Sequence, residues 1–380
     1  MPGWRWLGVF WAVVALGGAG TAWRLHQLGP PEPPAEASGQ PQTPSSDPSP
    51  AVAEASPAAP PAAVPEPPAA EARPAAPAPM PAAPEPPPLA AAPAPASAAG
   101  RPIPAPDPAL LETGRHGALP RIGADGRTSI RAYAREFDRR DTRPRIGIIV
   151  SDIGLSATQT DDAIRRLPPA VALALSPYAV RPGQAAERAR ERGMETLIAI
   201  PMEPAGYPTN DPGDRALLTG RPMAENLDLL DWSLSRAQGY VGAIGAIGGM
   251  RGERFAALPD AIGAVQEVLF RRGVLYVDPR PGAASPARAW GRSVDLVLDE
   301  PGGTRGEIDR RLAELEGLAR ERGAALGLSG SASPVVVERI AAWAQGLDAR
   351  GLVLAPVSAM IRRPEGSASD SSPLRPASAP

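Results

Sequence analysis

Three carboxylates stand directly after short apolar segments of the sequence, where strands are expected to end. Asp152 follows Ile-Gly-Ile-Ile-Val-Ser, Glu203 lies within Ile-Pro-Met-Glu-Pro, and Asp278 ends Val-Leu-Tyr-Val-Asp. Together these side chains would form an all-oxygen cluster, which favours Mg²⁺, Mn²⁺ or Ca²⁺ over zinc. Two of them would alternatively act as acid and base on a glycosidic bond, a role that depends on the distance between the carboxylates.

Each of these candidates also has a purely structural interpretation. Asp152 would be satisfied by loop amides, Glu203 would belong to a rigid turn between prolines, and Asp278 would form an ion pair with Arg280. Tyr178 would either stack on a sugar ring or pack against protein side chains. The candidates for catalysis are therefore Asp152, Glu203 and Asp278, and those for substrate binding are Tyr178 and Arg280.

Missing residue types exclude several kinds of chemistry. Cysteine is absent, which removes thiolate nucleophiles and cysteine-bound zinc, and all 39 basic residues are arginine, which removes P-loop and Schiff-base lysines. The two histidines, His26 and His116, precede the predicted domain, so an imidazole enters it only if His116 folds back or another chain supplies one. A net charge of −2 without a basic run, together with 4% aromatic residues, indicates no nucleic-acid partner.

The periodicity of the region after residue 143 predicts alternating strands and helices. About eight such units in tandem predict an α/β fold with a parallel sheet, and the lack of a glycine-rich dinucleotide turn favours a barrel over a doubly wound sheet. The predicted strands are residues 145–150, 171–175, 195–200, 241–244, 274–277, 295–298, 325–328 and 352–355. The predicted helices are residues 156–167, 182–192, 224–237, 259–272, 304–322 and 334–349.

The two ends of the chain have other compositions. Residues 1–27 contain an uncharged run at 6–23, which predicts a membrane anchor. Small residues at 17–22, near the end of that run, offer a cleavage point and make a cleaved signal peptide the alternative. Residues 28–142 are rich in proline and alanine and predict a disordered tether, and residues 364–380 predict a disordered tail.

Residues 144–156, Pro-Arg-Ile-Gly-Ile-Ile-Val-Ser-Asp-Ile-Gly-Leu-Ser, resemble the opening of divergent polysaccharide deacetylases, in which Ile-Asp-Asp-Leu-Gly is typical. The resemblance continues in order through the predicted domain, residues 143–363. It includes Leu167-Pro-Pro, Ala174-Leu-Ser-Pro-Tyr178, Ile200-Pro-Met-Glu-Pro204, Asn210-Asp-Pro-Gly213 with Leu217-Leu-Thr219, Gly239-Tyr-Val-Gly242 and the segment from Arg350 to Ala359. It implies a NodB-like distorted (β/α) barrel of about seven or eight parallel strands, of a kind exported in Gram-negative bacteria.

The same resemblance implies a metal held by an aspartate and two histidines, with a second aspartate as base. Asp152 matches one aspartate of the pair, whereas Ser151 stands at the position of the other. Ala199 and Ala246 stand where the family has imidazole or other polar side chains. No bound metal is therefore expected, and a divalent cation would bind at most weakly, through Asp152.

These observations predict a polysaccharide deacetylase-like protein of the cell envelope with weak or lost metal-dependent activity. The alternative is a non-catalytic module that binds a glycan or another envelope protein. No cofactor is expected. The predicted location is the inner membrane, with an N-terminal anchor and the domain in the periplasm, or the soluble periplasm if a signal peptide is removed.

Overall fold

The structure, a computed structural model, describes residues 101–364. The predicted anchor, most of the predicted tether and nearly all of the predicted tail lie outside these residues. Within them, no helix is long and apolar enough to cross a membrane. The strands are β1 Leu111–Thr113, β2 Ala118–Pro120, β3 Arg145–Ile153, β4 Ala172–Leu175, β5 Thr196–Ala199, β6 Gly242–Ile244, β7 Leu275–Asp278, β8 Gly291–Ser293, β9 Leu296–Val297, β10 Ala324–Ser329 and β11 Val353–Leu354.

Eight α-helices lie among the described residues, and six of them follow strands of the main sheet. They are α1 Ser129–Ala132, α2 Ala157–Arg166, α3 Pro182–Glu191, α4 Met223–Ser235, α5 Glu253–Ala256, α6 Pro259–Arg271, α7 Arg305–Arg322 and α8 Pro334–Ala344. The sequence predicted every helix of ten or more residues and every strand from β3 onward except β8, and the structure confirms these elements.

The main sheet is entirely parallel and curls into a distorted barrel shape. Its hydrogen-bonded order is β8-β7-β6-β5-β4-β3-β10-β9, and β11 pairs in addition with the start of β3. The two outer strands, β8 and β9, are separated in the chain by only Val294 and Asp295. The Val294 N–H bonds to the carbonyl of Asp278 in β7, and the Asp295 N–H bonds to that of Leu326 in β10. One kinked segment therefore joins both edges of the curled sheet.

Local signals in the sequence explain where the helices begin and end. The Ser156 hydroxyl accepts a hydrogen bond from the Gln159 N–H and caps α2. Thr304 and Glu307 form a reciprocal capping box at the start of α7, and α7 ends at Gly323, whose φ of 78° suits a residue without Cβ.

Apolar side chains cover both faces of the sheet. The outer face packs against the helices through residues such as Ile148, Leu173 and Ile198. The inner face carries Ile149, Ala174, Ala199, Ala246 and Leu328, all buried. A sheet that is apolar on both faces is typical of parallel α/β proteins, and it explains why its strands read as continuous apolar runs.

Residues 101–142 belong to the folded domain, which corrects the predicted extent of the linker. The segment forms the antiparallel β1–β2 pair and the short helix α1. Its apolar residues are scattered singly among polar ones, so they show neither the strand nor the helix period that the prediction depended on. Four of them are buried within the inner cluster: Ile103, Leu110, Ile130 and Tyr133.

This segment lies at the end of the sheet where the strands begin, called here the amino end. The Ile103 N–H donates to the Arg190 carbonyl near the end of α3, and the Ile130 N–H donates to the Gly273 carbonyl just before β7. Residues 357–360, near the carboxyl terminus of the domain, also contribute Val357 and Met360 to the inner cluster. The two ends of the described chain thus close the barrel from the same side.

Glu195, a fully buried carboxylate, connects these two closing segments. Its oxygens accept hydrogen bonds from the Arg135 N–H at 2.9 Å, the Ser358 N–H at 3.0 Å and the Ser358 hydroxyl. Burial nevertheless raises the pKa of Glu195.

Candidate functional site

Asp152 lies at the end of β3, at the carboxyl end of the sheet. Its φ is +61°, and it is the one residue other than glycine with a positive φ among residues 101–364. Its Oδ1 accepts a hydrogen bond of 2.9 Å from the Gly248 N–H. Burial raises the pKa of Asp152, and the nearby Asp299 carboxylate adds to the increase. The structural interpretation of Asp152, a carboxylate bound by a loop amide, is therefore present in this fold.

Residues 247–250 form a tight turn, called here the Gly248 turn, after β6. Ile247 and Met250 exchange two backbone hydrogen bonds of 2.9 and 3.0 Å, which leaves Gly248 and Gly249 at the tip. The turn touches the backbone after β10, because a Cβ at Gly330 would lie 2.9 Å from the Gly248 carbonyl oxygen. It therefore spans from β6 to the ends of β3 and β10.

Asp299 was missed by the sequence analysis, although it follows the predicted strand at 295–298 in the same way as Asp152 follows its own. Its two oxygens accept hydrogen bonds from the Gly330 N–H at 2.9 Å and the Ser331 N–H at 3.1 Å. The rule that singled out Asp152, a carboxylate just after an apolar strand, would have found it. The Asp299 charge also acts on Asp152, whose pKa it helps to raise.

Three hydroxyl groups near this end are buried and have no hydrogen-bond partner among the residues that the structure describes. They belong to Ser151, Ser176 and Tyr276, each at most 1% exposed. Ser151 precedes Asp152, and Tyr276 Oη lies beside Gly245, where a Cβ would be 2.6 Å away. The hydroxyls of Thr128 and of Thr196, at the start of β5, also lack a partner among these residues, so this property does not distinguish the carboxyl end of the sheet.

Glu203 is only 3% exposed and lies in a local network. One carboxylate oxygen accepts hydrogen bonds from the Thr219 N–H and hydroxyl, and the other pairs with Arg254 Nε at 3.1 Å. Both oxygens are thus engaged in holding the loop after β5 against its neighbours. The structural interpretation, a glutamate that fixes a rigid turn, describes this geometry.

Asp278 forms a bidentate ion pair with Arg280. Its oxygens accept from Arg280 Nε at 2.9 Å and Nη2 at 2.7 Å, and this pairing raises the pKa of the arginine. The Arg280 guanidinium therefore binds Asp278, as the structural interpretation of this pair predicted. A second charged group nearby consists of Arg251, which pairs with Glu300 and lies 3.5 Å from Glu253.

Tyr178 packs beside another aromatic ring. Its ring centroid is 5.7 Å from that of Trp232, and its hydroxyl accepts a hydrogen bond from the Arg215 N–H at 3.2 Å. Burial raises the pKa of Tyr178 to about 12. Arg215 and Arg236 each place a guanidinium carbon 5.5 Å from the Trp232 ring. Tyr178 therefore packs against protein side chains, which was the structural alternative to stacking on a sugar ring.

The cluster of Asp152, Glu203 and Asp278 does not form. Among residues 101–364, no group of three or more histidine, aspartate or glutamate side chains is placed to hold a metal ion. Glu203 and Asp278 are instead bound by separate arginines. His116 does contact the domain, but its Nε2 lies 3.0 Å from Asp228 on α4. The donor set near Asp152 thus does not fit the metal that the family implies.

Residues 148–361 match the family described as divergent polysaccharide deacetylase. A crystal structure of an uncharacterized protein from Agrobacterium tumefaciens C58 is 34% identical, with a TM-score of 0.59, over 64% of this chain and 99% of that chain. No curated protein matches the chain. The family match covers more than half of the 380 residues and contains the whole curled sheet from β4 onward and most of β3. This chain belongs to the divergent polysaccharide deacetylase family.

Proposed function

We propose that this protein is a deacetylase-like component of the cell envelope whose barrel has weak or lost metal-dependent activity. The observation that supports this most directly is the composition of the carboxyl end of the sheet. Ser151, Ala199 and Ala246 occupy the three positions that the family resemblance assigns to polar or metal-binding groups, and all three are buried. Asp152, the remaining acid, is bound to the Gly248 N–H.

The chemistry of hydrolysis explains why this composition weakens activity. A catalytic zinc takes three protein ligands and keeps one position open for water. Deacetylation also requires a base within hydrogen-bond reach of that water. Asp152 and Asp299 supply two carboxylates and no imidazole, so one group would have to serve both as ligand and as base.

Acetate release from acetylated substrates tests this proposal. The purified full-length protein is incubated with chitohexaose or peptidoglycan in the presence of zinc, manganese, magnesium or calcium, and acetate is measured enzymatically. We expect release no faster than with the Asp152→Ala protein. Robust zinc-dependent release that disappears in the D152A variant would contradict the proposal.

A second function, a non-catalytic module that binds a glycan or an envelope protein, is favoured by a different observation. The inner face of the sheet keeps its apolar and small side chains, among them Ala174 and Ala199, although the metal-binding pattern is gone. Small apolar residues in place of metal-binding groups suit contact with a partner better than hydrolysis. Pull-down with isolated wall and membrane fractions tests it, with D152A as the comparison. If neither protein retains any fraction while wild-type protein turns over a sugar, the binding function fails.

The envelope location and the tether form part of the same proposal. Its support is the uncharged run at residues 6–23, which is followed by a proline- and alanine-rich segment of the kind that forms flexible tethers. Cell fractionation followed by alkaline carbonate extraction tests it, since an anchored protein stays in the inner-membrane pellet. Recovery of a shortened protein in the soluble periplasm would instead support signal cleavage.

A further inference from the structure

A recess, called here the seam recess, lies beside the segment that joins the two edges of the main sheet. As the structure describes them, neither the β7–β8 nor the β8–β9 connection contains a helix, so β8 has no helix of its own to cover it. The recess is bounded by the loop at 282–285, by the segment 292–296, by one side of α7 and by Arg362. Its volume of about 490 Å³ suits a ligand the size of one sugar.

Three arginines from separate parts of the chain line the seam recess: Arg292 in β8, Arg322 at the end of α7, and Arg362. The Arg292 side chain is 9% exposed, whereas that of Arg322 is 55% exposed. Arg362 is held beside β8 by two backbone hydrogen bonds with Gly291, of 2.7 and 3.1 Å. Strand pairing and a helix therefore bring the three side chains to one recess.

Asp295 is shared between two of these arginines. Its Oδ2 accepts a hydrogen bond of 2.8 Å from Arg292 Nη2, and its Oδ1 lies 3.6 Å from Arg322 Nη1. The same Oδ2 also accepts from the Leu326 N–H at 2.8 Å, and Arg292 Nη2 donates to the Ala324 carbonyl at 2.9 Å. These bonds join β8 to the start of β10. They use one nitrogen of Arg292, and one carboxylate serves two guanidinium groups.

The other charges leave the seam recess positive. Glu314, the second acid in its wall, pairs at 3.0 Å with Arg311, an arginine outside the wall. The Arg362 side chain forms no ion pair with an acid of residues 101–364. An arginine is always charged in a protein, and its planar set of N–H donors matches a carboxylate or a phosphate. The recess thus combines an excess of positive charge with donors that suit an oxyanion.

We propose that the seam recess binds an oxyanion carried on a sugar-sized ligand, held by Arg322 and Arg362 in front of the buried Arg292. The oxyanion follows from the arginines, and the size follows from the volume. That the ligand is a sugar rests on the envelope function proposed above. None of the candidate residues for catalysis or substrate binding lines this recess, so the site does not depend on the chemistry of the barrel.

Ligand-observed NMR of the purified full-length protein tests the site with glucuronate, glucose 1-phosphate, inorganic phosphate and neutral glucose as probes. We expect glucuronate or glucose 1-phosphate to bind at least about tenfold more tightly than glucose, because hydrogen bonds to a charged group are the stronger ones. Tighter binding of glucuronate would identify a carboxylate ligand, and tighter binding of glucose 1-phosphate a phosphate ligand. Inorganic phosphate that binds as tightly as glucose 1-phosphate would support the oxyanion and contradict the sugar.

Two variants locate the binding. Arg362→Ala removes a side chain without an ion pair and keeps the backbone bonds to Gly291, and Arg322→Ala removes an exposed side chain. Each should weaken binding of the anionic sugar at least about tenfold while the melting temperature stays close to wild type. Arg310→Ala is the matched control, because it removes the same charge from the exposed side of α7, outside the recess, and should leave the affinity unchanged.

Three results would overturn the site. They are equal affinity for glucose and for both anionic sugars, binding that survives in R322A and R362A, and a loss in R310A as large as that in R362A, which would reflect net charge alone. Acetate release does not enter this measurement. A failure of the proposed deacetylase-like function therefore leaves the binding result intact, and absence of binding leaves that function untouched.

Discussion

The two ends of the curled sheet hold their buried carboxylates in different ways. At the amino end, the Glu195 carboxylate accepts three hydrogen bonds, and two segments distant in sequence cover it. At the carboxyl end, Asp152 accepts one hydrogen bond, from the Gly248 N–H at the tip of a glycine turn. The amino-end carboxylate is therefore fixed by more contacts than the carboxyl-end one.

The difference separates stability from function within one barrel. A carboxylate that accepts three hydrogen bonds in a buried network is held more rigidly than one that accepts a single hydrogen bond. Parallel barrels place their chemistry at the carboxyl end of the strands, so a less constrained acid there is expected to serve binding or chemistry. Changes at the amino end should therefore act mainly on the free energy of unfolding, and changes at the carboxyl end mainly on local behaviour.

The largest expected effect comes from removing residues 101–142. Four buried side chains leave the inner cluster with this segment: Ile103, Leu110, Ile130 and Tyr133. At about 1.5–3 kcal/mol each, their burial contributes about 6–12 kcal/mol, comparable with the about 5–15 kcal/mol of a typical domain. A chain that begins at residue 143 should show no cooperative thermal transition by circular dichroism.

A chain that begins at residue 101 is the matched control for this truncation. It keeps residues 101–142 and should melt within about 2 °C of the full-length protein, since surface changes away from the core have small effects. Cooperative melting of both truncated chains would show that the amino end is not part of the core.

Elements with a continuous apolar pattern could be predicted from the sequence. Features that depend on the contacts of single side chains could not. The parallel strands were predictable because a sheet buried on both faces produces unbroken apolar runs. The fold of residues 101–142 was not predictable, because Ile103 and Leu110 pack through tertiary contacts that leave no regular period in the sequence. The strand β8, Gly-Arg-Ser, is polar and three residues long, and it is defined only by its pairing with β7.

The site was predicted less completely than the fold, for a related reason. Strand endings located Asp152, Glu203 and Asp278, but sequence does not give the partner of a carboxylate. Arg254 forms an ion pair with Glu203, and Arg280 forms one with Asp278. Both contacts depend on the geometry of loops, which the sequence does not give. Asp299 satisfied the same rule as Asp152 and was overlooked.

The next largest effect is expected at Glu195. Glu195→Ala leaves three buried donors without an acceptor, so the free energy of unfolding should fall by about 3 kcal/mol or more in urea denaturation. Glu195→Gln keeps an acceptor oxygen and should lose less. A smaller loss in the alanine variant than in the glutamine variant would contradict the account of this network.

The pH dependence of Glu195 has a definite sign. Because burial raises its pKa in the folded state above the ordinary value of 4.5, the folded protein binds the proton more tightly than the unfolded chain does. The contribution of this proton binding to the free energy of unfolding is therefore complete below pH 4.5. It is lost as the pH rises through the pKa of Glu195 in the folded protein. The melting temperature of E195Q relative to wild type should rise across that window, and a difference independent of pH would contradict the raised pKa.

A smaller and more local effect is expected from Asp299→Asn at the carboxyl end. Burial is the main cause of the raised pKa of Asp152, and the Asp299 charge adds to it. Removing that charge should lower the Asp152 pKa but leave it above 3.8, as followed by ¹³C NMR of the side-chain carboxyl. Asp309→Asn, at an exposed ion pair with Arg339, is the control and should leave it unchanged. Equal pKa values in D299N and wild type would show that the two acids do not interact.

The smallest effect is expected from zinc. Asp152 and Asp299 offer oxygen donors only, and carboxylates without imidazole bind zinc weakly. At a free zinc concentration below the dissociation constant, binding stabilises a protein by less than about 0.4 kcal/mol, which corresponds to about 1–2 °C for a domain of this size. One equivalent of zinc should therefore barely move the melting temperature and should be lost on gel filtration, as measured by elemental analysis. Retained zinc that disappears in D152A would place a metal at Asp152 and contradict the proposed loss of metal-dependent chemistry. Retained zinc that disappears only in His116→Ala would instead place it beside Asp228 on α4, away from Asp152.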